Sequence, residues 1–236
     1  MEPDRGWFDK ILDVVGTPNA PPARARRPKA PVTAFTAALV AGDSGTAGEI
    51  ADAFLGATGS RLAVISDLFH PAQYQVGELW YQGRVGVAEE HRATAIVSRV
   101  ATGLTATPVA RPVRPGATCI LSGLTGERHV IGIQFLALAL EDEGWSVQQL
   151  PPPMPRSELL RAVMEWRPDV VGLSAAYAPT TRQISTAVAA VHALGVPVMV
   201  CGPLFNRAPG LWRAVGADAH GTDARVSPVL MRKCLR

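Results

Sequence analysis

Cysteine is scarce in this chain: three in 236 residues, at positions 119, 201 and 234, with no Cys-x-x-Cys pair. An odd, widely spaced set argues against a disulfide framework and against a zinc site. Cys119 and Cys201 each fall inside a β-like apolar run and read as small buried hydrophobes. Long hydrophobic stretches are lacking as well. None reaches the length needed to cross a membrane, and no signal-peptide core follows the N-terminal charges, so the expectation is a cytoplasmic protein. A strong charge imbalance is also missing. The net charge is +3, and part of that excess sits in Arg24, Arg26, Arg27 and Lys29. The remainder is close to neutral and gives little support for a nucleic-acid surface. There is no internal repeat.

What is present suits one large or two small domains. Residues 1–31 form an N-terminal arm. Trp7, Phe8, Ile11, Leu12 and Val15 fall at helical spacing, and Pro18, Pro21, Pro22, Pro28 and Pro31 then make an extended linker rich in proline and arginine. A disordered leader is favoured over a docked helix. Residues 32–107 carry four apolar-periodic helical segments: Val32 to Val40, Ser44 to Leu55, Ser60 to Trp80 and Val87 to Leu104. Asp43-Ser44 and Thr58-Gly59-Ser60 supply caps and turns, and Pro71 opens a new helix or kinks the third. Short connections between antiparallel helices imply a four-helix bundle. Residues 108–116, with Pro108, Pro112 and Pro115, are a linker.

From residue 117 to 236 the period changes. Strand-like runs (Ala117 to Leu121, Ser146 to Leu150, Val170 to Ser174, Val196 to Cys201) alternate with helical ones (Ile131 to Glu143, Arg156 to Trp166, Thr180 to Leu194, and a weaker Leu204 to Val215). That alternation signals βαβ units and a Rossmann-like, flavodoxin-like parallel sheet, so the expected class is α + α/β. Gly144 and Gly195 stand just past helix ends, where left-handed caps are expected.

The stretch Gly126-Glu127-Arg128-His129-Val130-Ile131-Gly132 connects the first strand of this domain to its first helix, at the sheet edge where open α/β folds hold ligands. An imidazole there can face a ligand, and Glu127 can accept a bond from the other ring nitrogen, which fixes the tautomer and raises basicity. Gly123, Gly126 and Gly132 let backbone and ligand approach closely. The blander reading of His129 alone is a polar surface residue.

Glu127-x-His129-x-x-Gly132, then Ser174 at a strand end, then Cys201-Gly202 at the next, resembles the Asp-x-His-x-x-Gly, Ser-x-Leu, Gly-Gly signature of base-off/His-on cobalamin-binding domains. The resemblance implies that His129 is the lower axial ligand to cobalt, with Glu127 as its hydrogen-bond acceptor. It implies that Ser174 contacts the displaced dimethylbenzimidazole and that Gly202 borders the nucleotide-tail pocket. Glu127, Ala176 and Cys201 depart from the pattern, and Cys201 adds bulk where the family has glycine. Thr222 and Asp223, after the short apolar run Ala217 to His220, are weaker candidates to line the loop near that tail.

In the helical part, Trp80, nine intervening residues and then Glu90-His91 match the Trp-x9-Glu-His motif of CarH-type adenosylcobalamin photoreceptors. By this resemblance Trp80 packs against the upper adenosyl group, Glu90 hydrogen-bonds it, and His91 takes cobalt's upper position after light has removed that group. The bland alternatives are a core aromatic at a helix end for Trp80, favourable first-turn charge for Glu89 and Glu90, and a bundle-surface histidine for His91. His70, His192 and His220 fit neither motif and read as structural or solvated.

CarH-type regulators carry an N-terminal helix-turn-helix domain, for which the residues ahead of the bundle are too few. Direct DNA binding is therefore not expected. The expectation is a free-standing sensor module rather than an enzyme, signalling through light-dependent self-association or an unidentified effector protein. Photocobilins resemble CarH sensors and hold a bilin beside the cobalamin, so biliverdin is carried as a second cofactor. The competing class is a corrinoid methyl carrier of a methyltransferase system, which shares the same plan but must leave the upper face of cobalt exposed. A cobalamin-binding or chaperone module without photochemistry is the third.

Overall fold

In the computed structural model, residues 30–104, 116–124, 127, 130–151, 153–176 and 180–235 are described. The first half is helical: α1 (Ala30–Ala41), α2 (Ser44–Thr58), α3 (Arg61–Val64), α4 (His70–Tyr81) and α5 (Val87–Leu104), with a π-helical turn, Ile65–Phe69, joining α3 to α4. Local chemistry sets these limits. The Asp43 carboxylate accepts from the Thr46 backbone N–H at 3.0 Å and from its hydroxyl at 2.7 Å, which starts α2. Gly59, with φ 62°, ends it, and Ser60 accepts from the Ala63 N–H to start α3. The expected third helix is thus one rod from Arg61 to Tyr81 with its middle turn widened. The reason is Pro71. It has no N–H to offer the Asp67 carbonyl and its ring crowds that carbonyl, so the turn before it opens and His70 reaches back five residues to the Ile65 carbonyl.

The second half alternates β1 (Thr118–Gly123), α6 (Ile131–Asp142), β2 (Ser146–Leu150), α7 (Arg156–Trp166), β3 (Val170–Ser174), α8 (Thr181–His192), β4 (Val198–Cys201), α9 (Pro203–Arg207), α10 (Leu211–Ala214), β5 (Ala219–Gly221) and α11 (Ser227–Cys234). The sheet is wholly parallel, in the order β2-β1-β3-β4-β5, the flavodoxin-like arrangement. β3 is buried along its whole length, as a central parallel strand covered on both faces must be. Gly144 and Gly195 take φ 86° and 77°, as left-handed helix caps. One expected element differs and two are additional. The weak helix over 204–215 is two short helices, because Gly210 and its neighbours interrupt it. The run Ala217 to His220 yields a fifth strand, Ala219–Gly221, at the sheet edge, paired with β4. A further helix, α11, then returns across the sheet.

The two halves share one core. Phe35 stacks on Phe69 (5.3 Å between ring centroids), Phe69 on Phe135 of α6 (5.7 Å), and the His70 ring meets Phe135 edge-on at 5.0 Å. Phe135, Leu138, Ala139 and Ala224 belong to the same apolar cluster as the bundle interior. At the far end of the seam Arg61, only 6% exposed, pairs with Asp142 and donates to the Leu104 carbonyl at 3.2 Å. Because Phe135 is fully buried in the joint, Phe135→Ala is expected to cost about 3–5 kcal/mol and to weaken coupling between the halves. Thermal unfolding followed by circular dichroism checks this: the expected result is a lower Tm and a transition that splits, whereas an unchanged single transition would show that the aromatic column is not what joins them.

Candidate functional site

Strand pairing puts Gly123, Ser174, Cys201 and Gly221 in one row, because each is the register partner of the next. The row is the carboxyl edge of the sheet, and the loops that follow it carry the residues singled out by spacing. Glu127 is 3% exposed, and its carboxylate accepts from the Ala176 backbone N–H, tying the loop after β1 to the loop after β3. A second tie runs from the Leu124 N–H to the Ser174 carbonyl at 2.9 Å. Residues 128 and 129 lie outside the described residues, and with them the expected cobalt ligand His129. Gly132 is exposed in the first turn of α6, and a Cβ there would meet no protein atom within 4 Å. The space above it is open.

Gly202 is the opposite case. Its φ of 100° and ψ of 170° belong to a region open essentially to glycine alone. A Cβ would come within 2.5 Å of the Ala175 carbonyl oxygen and 2.9 Å of Ser174 Oγ. Ser174 and Cys201, side by side in the row, share a side-chain hydrogen bond. Burial pushes the Cys201 thiol up to about 11, with that bond pulling the other way. At neutral pH it stays a thiol, neither a nucleophile nor a metal ligand. Thr222 follows β5, exposed, with its carbonyl taking the Asn206 amide at 3.0 Å. The remaining histidines do structural work: His192 binds Asp218 at 2.8 Å and His220 binds Asn206 at 3.0 Å.

The bundle overhangs this edge. α3 and α4 run antiparallel to α6, so that Arg61 meets Asp142 and Phe69 meets Phe135, while Ser98 of α5 meets Gln134 at 2.8 Å. At 1.5 Å per residue, half-buried Trp80 lies about 10 Å, and His91 about 6 Å, beyond the Ile131 end of α6. Both therefore lie past the end of α6 that adjoins the carboxyl edge of the sheet. Glu90 accepts from Thr94 Oγ1 at 3.2 Å and lies 2.6 Å from His91 Nδ1. The His91 side chain is 75% exposed. With Nδ1 held by a carboxylate, the nitrogen available to a metal is Nε2. Glu89 does the bland task of a first turn, accepting the Gly86 N–H at 2.9 Å.

Apart from Trp80, a further group belongs to neither motif. Ser66, His70, Gln73, Gly77 and Trp80 are spaced four, three, four and three apart, and so form a single stripe along the rod. Burial holds His70 below the ordinary histidine value, opposed by the Asp223 carboxylate, so the ring is neutral at pH 7. Ser66 Oγ and Gln73 Nε2 are buried and have no hydrogen-bond partner among the described residues. A helical polar stripe ending on Trp80 was the sequence signal for them.

These features fit a cobalamin: an open ledge at Gly132, a tight glycine at Gly202, a carboxylate-held imidazole on α5 and an orphaned amide on α4. Residues 117–228 match the family model "B12 binding domain", and residues 32–102 match a second family model of the same description. The chain is 36% identical over 114 residues to the HTH-type transcriptional repressor CarH of Myxococcus xanthus, covering 48% of this chain and 37% of that protein. It is 32% identical over 91 residues to CarA of the same organism, covering 39% and 31%. The chain thus spans about a third of the length of these curated relatives. Among solved structures, the monomethylamine corrinoid protein of Methanosarcina barkeri shares the fold, with TM-score 0.70 and 16% identity over 84% of this chain and 95% of that one.

Proposed function

Since this chain is a cobalamin-binding protein, with a helical and an α/β B12-binding domain in series, we propose that it is a light sensor that holds adenosylcobalamin between the two. The bound cofactor supplies a cobalt–carbon bond that visible light breaks. The residues of this chain divide the remaining tasks. His129 serves as the lower ligand, and buried Glu127 braces its loop through Ala176. Ser174, Gly202 and Thr222 border the channel for the nucleotide tail, and Gly132 leaves room for the macrocycle. Trp80 screens the upper face from water, and Glu90 keeps His91 in the tautomer whose Nε2 is free for cobalt. The observation that carries this reading is the bond between Glu90 and His91 Nδ1 at 2.6 Å, set above the carboxyl edge of the sheet. A methyl carrier needs that face uncovered. Output through self-association or an effector protein belongs to the same proposal, as does biliverdin as a second chromophore.

The test is an absorption spectrum of protein loaded in the dark with adenosylcobalamin, with and without biliverdin, before and after green light, with size-exclusion runs alongside. A light-driven spectral change accompanied by a change in assembly is the expected result. A spectrum indifferent to light, with preference for methylcobalamin and turnover beside a methyltransferase, would replace the sensor with the methyl carrier.

A further inference from the structure

We propose that Gln73 is a cofactor-binding residue: its side-chain amide donates to a carbonyl oxygen of an amide group on the rim of the bound corrin. This rests on the reading of the chain as a cobalamin-binding protein. Gln73 Nε2 is buried without a partner among the described residues, and an amide left so costs stability unless something else supplies an acceptor. Position says what that is. Gln73 lies four residues past Phe69, which is level with Phe135. Four residues advance the helix about 6 Å, to the height of Ile131, where α6 begins and the open ledge starts. Gly77 comes one turn further on, and a Cβ there would meet nothing within 4 Å. Trp80 follows after nearly another turn. The stripe therefore sets a donor, a gap and an aromatic side chain in succession along the rod, at and beyond the level of the ledge.

The chemistry matches the occupant. A corrin is ringed by amide side chains, and a primary amide is the natural donor to their carbonyl oxygens. Below Gln73 the His70 ring lies edge-on against Phe135 and closes the seam, and the Gln73 amide makes no hydrogen bond to it. The widened turn just beneath, Ile65–Phe69, offsets the stripe from its ordinary helical register, and such turns recur at functional sites. Ser66 Oγ is orphaned too, but it lies about 10 Å further from the edge along the rod, out of reach of the rim.

The test compares Gln73→Met, which keeps the volume and removes the donors, Gln73→Glu, which keeps the shape but offers a carboxylate where a donor is needed, and Ser66→Ala. Equilibrium binding of adenosylcobalamin in the dark and the Tm of the cofactor-free protein are measured for each. For Gln73→Met the expected result is opposite signs: a cofactor-free Tm higher by about 2–4 °C, and cobalamin affinity lower by about three- to tenfold. Gln73→Glu lowers affinity at least as much. Ser66→Ala raises the Tm and leaves affinity unchanged. Affinity unaltered in both Gln73 variants would overturn the assignment while leaving the cobalamin reading intact. Failure of the wild-type chain to bind adenosylcobalamin would overturn both.

Discussion

His91→Ala, loaded with adenosylcobalamin in the dark, is expected to keep its dark spectrum and to lose, after illumination, the absorption of a cobalt held by two imidazoles. The side chain is 75% exposed and touches only Glu90 among the polar groups described here, so its removal costs little in fold or in dark binding. In the proposed sensor its contribution would come afterwards, since an imidazole nitrogen is a good donor for cobalt. The Glu90 carboxylate makes a sharper probe. It faces Nδ1 and so leaves Nε2 as the atom that would ligate in the proposed lit state. Replacing such a carboxylate partner of a metal-binding histidine commonly costs about 10–100-fold in metal affinity. Glu90→Gln should therefore weaken the lit state by that order while the dark state is nearly unchanged, because only one of the two states uses the imidazole. The measurements are dark and lit spectra with cobalamin retention on a desalting column. If both variants match wild type after light, His91 is an ordinary surface histidine of the bundle.

Much of this arrangement could be read in the sequence because its causes are local. Asp43 and Gly59 announce a helix start and a helix end through groups within three or four residues, and both take those positions. The alternation after residue 117 forecasts a parallel sheet because burial on both faces demands continuous apolar strands, and β3 is such a strand. The elements that escaped depend on distant partners. β5 has three residues and exists because Ala219, His220 and Gly221 pair with Met199, Val200 and Cys201. The widening before Pro71 could be foreseen only as a disturbance, since a kink, a new helix and a π turn all relieve the same crowding.

The site divides along the same line. Trp80, Glu90 and His91 are close in sequence on either side of a tight turn, so their convergence follows from helix geometry. That Ser174 and Cys201 sit side by side and share a hydrogen bond is a matter of strand register, which no spacing of 27 residues reveals. Gln73 stayed hidden for a different reason. A glutamine on a helix is ordinarily a solvated residue, and the burial of its amide is a matter of tertiary packing.

Two glycines of the site should respond to alanine in opposite directions when folding is measured and in the same direction when binding is measured. At Gly202 the added methyl would sit 2.5 Å from the Ala175 carbonyl oxygen. That oxygen cannot move aside, because it accepts the Leu204 N–H at 3.0 Å, while the Ala175 N–H is held by the Cys201 carbonyl at 3.1 Å. The backbone conformation adds strain of about 1–3 kcal/mol for any other residue. Gly202→Ala is therefore expected to lower the Tm and to push apart the loops after β3 and β4, with cobalamin affinity falling by at least about tenfold, the equivalent of 1.4 kcal/mol. Gly132 meets nothing within 4 Å and lies inside the first turn of α6. Alanine there removes backbone freedom from the unfolded chain and should stabilise the cofactor-free protein by about 0.5–1 kcal/mol. On the proposed reading the same methyl group would occupy the ledge under the corrin, so affinity should fall although stability rises. Thermal melts without cofactor and dark titrations with adenosylcobalamin separate the two quantities. If Gly132→Ala bound cobalamin as well as wild type, the open space above α6 would not be where the cofactor lies; if Gly202→Ala kept its Tm, the loops would have slack that the present geometry denies them.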